Sequence, residues 1–112
     1  MEELTDILLK FCTEHNLWER AKQAGIVSID KYLKEDVAEA SRLFSEFTIE
    51  NFSFQRISQQ LIFWNHSDKT FVVSTKYNLY IRNREQQASP VGYYALDVDS
   101  QGKAIDDWLV FN

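Results

Sequence analysis

The clearest alternation in the chain lies in residues 70–82, TFVVSTKYNLYIR. Every second side chain from Phe71 to Ile81 is apolar or aromatic, with Thr75 as the exception, whereas most of the intervening side chains are polar. Successive side chains of a strand point to opposite faces of a sheet. This period of two therefore predicts an antiparallel strand with one face buried and the other solvated.

A second β-rich run precedes this strand at residues 54–64, and the five residues between the two runs have the composition of a turn. Residues 83–90 are polar and are predicted to form a loop. Eleven of the sixteen aromatic residues follow residue 50, which favours strands in this half of the chain.

The last two strands are predicted at residues 91–98 and 104–111, on either side of a hairpin turn at residues 99–103. Gly102 can take the left-handed position of a type I turn with a bulge. The predicted cross-strand pairs are Tyr94 with Trp108, Leu96 with Asp106, Tyr93 with Leu109 and Asp97 with Ile105.

Two helices are predicted before the strands. Apolar residues recur at helical spacing over residues 4–18, and Gly25 provides a C-terminal stop. A second apolar stripe over residues 29–47 predicts a helix that begins at about Asp30. The order of elements predicts an α+β domain in which two N-terminal helices pack on one face of a four-stranded antiparallel sheet. A fifth, short strand at residues 48–52 is an open alternative.

Length and composition limit the classes of protein that the chain can belong to. A chain of 112 residues with 45% hydrophobic residues is expected to form one globular domain. The net charge of -5 argues against a nucleic-acid partner, because such proteins carry a basic surface. The N-terminus has no signal-peptide pattern, and no apolar run is long enough for a membrane helix. We therefore expect a cytoplasmic protein without a membrane partner.

Motifs for catalysis or cofactor binding are absent from the sequence, so we expect a protein that is not an enzyme and carries no cofactor. The stretch at residues 97–102 has the first acidic positions and the glycine of a calcium loop, but Gln101 and Trp108 replace two of its ligands. A plain hairpin turn is favoured there. Cys12 lies in a helical pattern and is interpreted as a small buried hydrophobic residue, His15 as an imidazole at the edge of the core, and His66 as an exposed turn residue.

The adjacent Asp106 and Asp107 cannot form one acid–base pair in a regular strand, because their side chains point to opposite faces. A carboxylate beside aromatic residues could be a desolvated catalytic acid. Solvated aspartates at the hairpin end are favoured instead.

Charge is distributed unevenly along the chain. Residues 1–50 hold eleven Asp and Glu against six Lys and Arg, whereas residues 51–112 hold six of each. Acidic residues of the second helix form either a solvated face or a field that steers a basic protein. A second acidic group surrounds two aromatic residues of the last hairpin, as at a binding hot spot. The predicted partner-binding residues are Asp36, Glu39, Glu46, Tyr94, Asp97, Asp99, Asp106, Asp107 and Trp108.

The C-terminal hairpin, residues 92–109, resembles the closing hairpin of small bacterial immunity proteins. This resemblance implies a protein that neutralises a cognate toxin domain by stoichiometric binding and acts without catalysis. No residue role is carried over from it. The oligomeric state is left open.

The same tail resembles the ending of cone-shaped, cystatin-like folds of the SnoaL type, through Gly102, Lys103, Ile105 and Trp108. In such folds a curved sheet wraps a helix and forms a pocket. The alternative function that this resemblance implies is the binding or transformation of a small apolar ligand. The chain lacks the early His/Asp constellation of that family, which argues against its catalytic role.

Overall fold

The structure is a computed structural model that describes residues 3–36, 38–39, 48–63, 71–82 and 87–112. It has two helices packed against a four-stranded antiparallel sheet, as predicted for an α+β domain. The elements are α1 (Leu4–Glu14), α2 (Leu17–Glu35), a 3-10 turn (Ile49–Asn51), β1 (Phe52–Phe63), β2 (Phe71–Arg82), β3 (Ala88–Asp99) and β4 (Ala104–Phe111).

The break between the helices lies at Asn16, and the predicted stop at Gly25 is wrong. Asn16 has a φ of 52°, in the left-handed region that asparagine tolerates better than most residues. The N–H of His15 donates to the carbonyl of Phe11 and closes α1. A single asparagine thus ends the first helix. The spacing of apolar residues continues through this position, so the sequence pattern did not indicate the break.

Gly25 lies inside α2, where its missing side chain allows the helix to approach the sheet closely. A Cβ at this position would lie 2.8 Å from Cε2 of Phe54 and 3.1 Å from the ring of Tyr94. The glycine is therefore a packing residue, and its helix-stop signal has no role here.

The second helix is shifted toward the N-terminus relative to the prediction. It begins at Leu17 rather than near Asp30, and it ends at Glu35, with Asp36 as its C-cap. The later part of the predicted stripe, residues 40–47, lies outside the described residues. No helix among the described residues combines the length and apolarity that a membrane crossing requires.

The sheet has the strand order β1-β2-β3-β4, with every neighbouring pair antiparallel. The ladder shifts near Ile57 in β1 and near Val91 in β3. Strand β3 begins at Ala88, so the predicted loop is shorter at its C-terminal end. The described residues before β1 form a 3-10 turn at Ile49–Asn51 instead of a further strand.

The core lies between the helices and one face of the sheet. The face predicted to be buried in β2 does point to the helices, since Val73, Tyr77, Leu79 and Ile81 all belong to the core. The hydroxyl of Tyr77 donates to the carbonyl of Trp18 at 2.7 Å and ties α2 to the sheet. The opposite face of the sheet, here called the outer face, carries the alternate side chains.

Candidate functional site

The last hairpin turns as the sequence predicts. The Asp99 N–H donates to the Lys103 carbonyl at 2.8 Å, and Gly102 has a φ of 81°. Oδ1 of Asp99 accepts the N–H groups of Gln101 and Lys103, each at 2.9 Å. These two backbone hydrogen bonds, chiefly the one from Lys103, lower the pKa of Asp99. Asp99 therefore serves as the acceptor that holds the turn.

The pairing of β3 with β4 differs by one residue from the predicted pairing. Asp97 lies opposite Asp106, and the ladder shifts just before this pair, so that Ile105 is an extra residue in β4. A bulge of this kind moves every later pair by one position. The observed pairs after it include Tyr94 with Leu109, Ala95 with Trp108 and Leu96 with Asp107.

The bulge determines which side chains meet. Asp106 and Trp108 lie on the outer face with Asp97, whereas Asp107 lies on the helix side with Tyr94. The predicted cluster of four acids around two aromatics is thus divided between the two faces of the sheet. The prediction that adjacent aspartates point to opposite faces is consistent with this arrangement.

Two carboxylates are opposed on the outer face. Asp97 is 8% exposed, and its Oδ1 has no hydrogen-bond partner among the described residues. Burial is the main cause that raises its pKa; a hydrogen bond from Ser74 opposes this, and the charge of Asp106 adds to it. Trp108, which is 44% exposed, follows two residues after Asp106 on the same strand. An acid pair and a partly exposed indole therefore share one surface, here called the acid–tryptophan surface (Asp97, Asp106 and Trp108).

Lys76, the lysine of the strand ladder beside the acid–tryptophan surface, contacts an aromatic ring rather than an acid. Lys76 lies opposite Ala95, and its Nζ is 4.1 Å from the centroid of the Tyr93 ring. This is the geometry of a cation–π contact. Among the described residues, no ion pair joins a lysine or arginine to Asp97 or Asp106.

On the helix side, Tyr94 is fully buried and takes part through its hydroxyl alone. The hydroxyl donates to Oδ2 of Asp107 at 2.7 Å, and Ser28 of α2 donates to the same oxygen at 3.4 Å. Burial, followed by the bond to Asp107 and its charge, raises the pKa of Tyr94. Tyr94 is therefore a core residue that orients Asp107, and it does not offer a contact surface as the sequence suggested.

A groove of about 610 Å³ opens between α2 and β4 above this hydrogen-bonded group. Its walls include Ala24, Val27 and Ile105, and Asp107 lies among its polar groups. The side chains of Val27 and Ile105 are 66% and 50% exposed. The groove, here called the α2–β4 groove, thus combines exposed apolar walls with an oriented carboxylate.

The predicted acids of the helical half lie apart from the hairpin residues in the sequence. Asp36 is exposed at the end of α2, and Glu39 is exposed and has helical backbone. Glu46 lies outside the described residues. The nearby Asp30 accepts from Lys34 at 2.8 Å, so part of the acidic field is neutralised locally.

Sequence reasoning missed Ser28, Val27 and the role of Ile105 as the bulge residue. Ser28 lies 79 positions before Asp107 in the sequence, and only folding brings it and Val27 beside that carboxylate. A bulge needs one residue more than the partner strand, but no residue type marks it unambiguously. The apolar Val27, which lies outside both predicted apolar stripes, was the one usable signal.

Two further predictions concern single residues. Cys12 is buried, as predicted, and burial raises the pKa of its thiol. His15 is half-buried, with its ring 4.3 Å from that of Phe11, in agreement with a packing role, and His66 lies outside the described residues. No group of three or more His, Cys, Asp or Glu in the described ranges is arranged to hold a metal ion.

Comparison with known proteins gave no relative from which a function could be carried over. No family model matches the chain, and neither the curated proteins nor the solved structures contain a match to it.

Proposed function

We propose that this chain is a non-enzymatic protein-binding module that recognises a basic protein partner through the acid–tryptophan surface. The observation that carries the proposal is the opposed pair Asp97 and Asp106, in which one oxygen of the buried carboxylate is unpartnered among the described residues. Two adjacent like charges raise the free energy of the folded chain. A lysine or arginine from a partner would neutralise them and donate hydrogen bonds to their carboxylate oxygens.

Trp108 supports the same proposal. Tryptophan and arginine are enriched among the residues that dominate binding energies, and a guanidinium stacks on an indole face. Trp108 is 44% exposed and lies on the face that carries Asp106. A partner arginine could therefore bond to the acid pair while it covers the indole.

The charge of the whole chain supports rapid association with such a partner. The net charge is -5, and exposed acids such as Asp36 and Glu39 extend the negative field beyond the hairpin. Long-range attraction of this kind increases association rates and falls as salt rises.

We further propose that the module is an immunity or antitoxin-like inhibitor, which acts in the cytoplasm and neutralises a bacterial toxin domain by stoichiometric binding. The small size, the acidic charge and the resemblance of the hairpin to that of immunity proteins support this assignment. An inhibitor that occludes a toxin needs a complementary surface and no catalytic residue.

The proposal is tested with the proteins encoded beside this chain in its own genome, each co-expressed with it and purified. We expect one basic neighbour to bind in a one-to-one complex, with an affinity that falls as NaCl rises from about 50 to about 500 mM. Asp106→Lys should weaken the complex by about tenfold or more. Calorimetric titration measures both effects.

Glu50→Lys is the matched control, since it makes the same charge change at an exposed residue beside β1, on the far edge of the sheet. Its effect should be several times smaller than that of Asp106→Lys. Equal affinities for Asp106→Lys and the parent chain would contradict the proposal. A complex that forms but leaves the partner's toxicity unchanged would contradict the inhibitor assignment only.

The α2–β4 groove favours the second candidate function, a pocket protein for a small apolar ligand. Its apolar walls and the oriented Asp107 provide a contact area and one polar anchor. This function predicts binding that survives the substitution Trp108→Ala, because Trp108 lies on the outer face and is not among the residues that line the groove. Ligand titration of Trp108→Ala followed by NMR separates the two candidates, since the loss of this indole should weaken only the protein partner.

A further inference from the structure

Strand β4 is an edge of the sheet that the described residues form. The N–H of Asn112 donates to the Val91 carbonyl, which sets the alternation of hydrogen-bonded pairs along the ladder. Opposed residues of an antiparallel ladder alternate between pairs that exchange hydrogen bonds and pairs that do not. By this alternation, the N–H and C=O groups of Asp107 and Leu109 point away from β3. An additional strand can bond to such groups, which is a common way of binding an extended peptide.

The edge carries features that prevent pairing with another copy of itself. Oδ1 of Asp106 accepts the N–H of Asp107 at 2.9 Å, and the bulge at Ile105 interrupts the start of the strand. Inward charges and bulges are the usual protection of sheet edges. Residues 104–112 contain two acids and no lysine or arginine. A basic segment added to this edge is therefore attracted by the two acids, whereas the same strand of a second copy is repelled by them.

The α2–β4 groove can receive the side chains that such a segment would point toward the helices. An apolar side chain would contact the exposed Val27 and Ile105. The next side chain on the same face would reach Asp107, whose carboxylate is already oriented by Tyr94 and Ser28. The carboxylate therefore loses little freedom when a cation binds it.

The outer face offers a second anchor for the alternate side chains. Asp106 and Trp108 are neighbours on this face of β4, next to the free edge. Because acids stand on both faces of the edge strand, basic side chains from both faces of an added segment find a partner.

We propose that β4 binds an extended, basic segment of a partner protein as a fifth strand, with main-chain bonds to the N–H and carbonyl of Leu109 and to the carbonyl of Asp107, and with a side chain in the α2–β4 groove. The inference rests on the proposed function, since it presumes a basic protein partner. Beyond the proposed function, the inference states that the partner's recognised segment is an extended strand, which pairs with β4 through its main chain.

The test uses random ten-residue peptides, displayed and selected against the full chain at low salt. Peptides that bind should carry two or more Lys or Arg residues in alternation with apolar ones. In NMR titrations of the chain, they should shift the amides of residues 105–110 and of Val27 and Ser28. N-methylation of alternate peptide residues should reduce affinity by about tenfold or more, because those N–H groups bond to the edge, whereas methylation between them should have little effect.

Asp107→Asn should weaken a selected peptide by several-fold, and the matched Glu35→Gln variant should leave its affinity unchanged. Indifference to N-methylation, or shifts confined to the outer face at residues 74–76 and 93–97, would overturn strand addition while leaving a basic partner in place. Selection of acidic or uncharged peptides in place of basic ones would overturn both this inference and the proposed function.

Discussion

Asp97 shows how one residue can favour binding at the expense of stability. Its carboxylate is 8% exposed, stands opposite Asp106 and has one oxygen without a partner among the described residues. Functional surfaces often retain groups of this kind, because the partner supplies what the free protein lacks. The acid pair should therefore be replaceable with a gain in stability and a loss in binding.

We predict that Asp97→Asn raises the melting temperature at pH 7. Burial raises the pKa of Asp97 in the folded state, so between its ordinary pKa and the raised value the folded chain binds more protons than the unfolded chain. Stability contributed by this group is therefore present at low pH and falls as pH rises through that interval. Asparagine is neutral throughout, and its amide can donate to Asp106.

Thermal unfolding of both proteins from about pH 3 to about pH 7 checks this prediction. The gain in melting temperature should be largest at pH 7 and should shrink toward acid pH. Asp106→Asn serves as the comparison, because it removes the same repulsion from the exposed partner and leaves the buried carboxylate charged. A variant that melts below the parent at pH 7 would show that the Asp97 charge is compensated in the free chain.

At the level of elements, the end of α1 is packed directly against the β3–β4 turn. Gly102 has a φ of 81°, and a Cβ added there would overlap Nδ1 of His15. The imidazole of His15 also contacts the ring of Phe11. The turn glycine therefore satisfies two requirements, the left-handed backbone and the space that the imidazole occupies.

We predict that Gly102→Ala destabilises the fold by about 2 kcal/mol or more, from the left-handed conformation and the overlap together. In the double variant Gly102→Ala/His15→Ala the overlap is absent, and the backbone cost remains together with the loss of the imidazole contacts. The double variant should then lose about 1 kcal/mol less than the sum of the two single variants. Urea unfolding of the four proteins measures this coupling, and strictly additive losses would mean that the turn and the imidazole are independent.

At the scale of the whole molecule, the free edge of β4 needs protection against self-association. The acids of the edge strand point to both faces, and one of them also accepts a main-chain N–H that faces outward. Charge on an edge strand is an effective barrier to pairing between copies. The same charges that select a basic partner therefore keep the chain from binding itself.

We predict that Asp106→Ala/Asp107→Ala increases the average mass of the protein in solution as concentration rises. Sedimentation velocity at several concentrations checks it against the parent chain. The matched control is Glu35→Ala/Asp36→Ala, which removes two adjacent exposed acids at the end of α2. If both double variants sediment like the parent, the edge is not protected by its charge.

Local patterns were sufficient to predict the strands. The alternation in residues 71–82 identified β2 and its buried face, and the composition of residues 99–103 identified the turn. Both depend on interactions among residues close in sequence, which is why they can be read without a structure. The helix boundary was wrong for a related reason, since the spacing of apolar residues continues through the left-handed Asn16.

The sequence alone determined an acidic α+β chain with two helices, an antiparallel sheet and a concentration of acids in its last hairpin. The three-dimensional fold settled how those acids are used. One extra residue at Ile105 places Asp106 opposite Asp97 and turns Asp107 toward Tyr94 and Ser28. Register and contacts between distant elements depend on packing across the whole domain, and a period of two along one strand does not encode them.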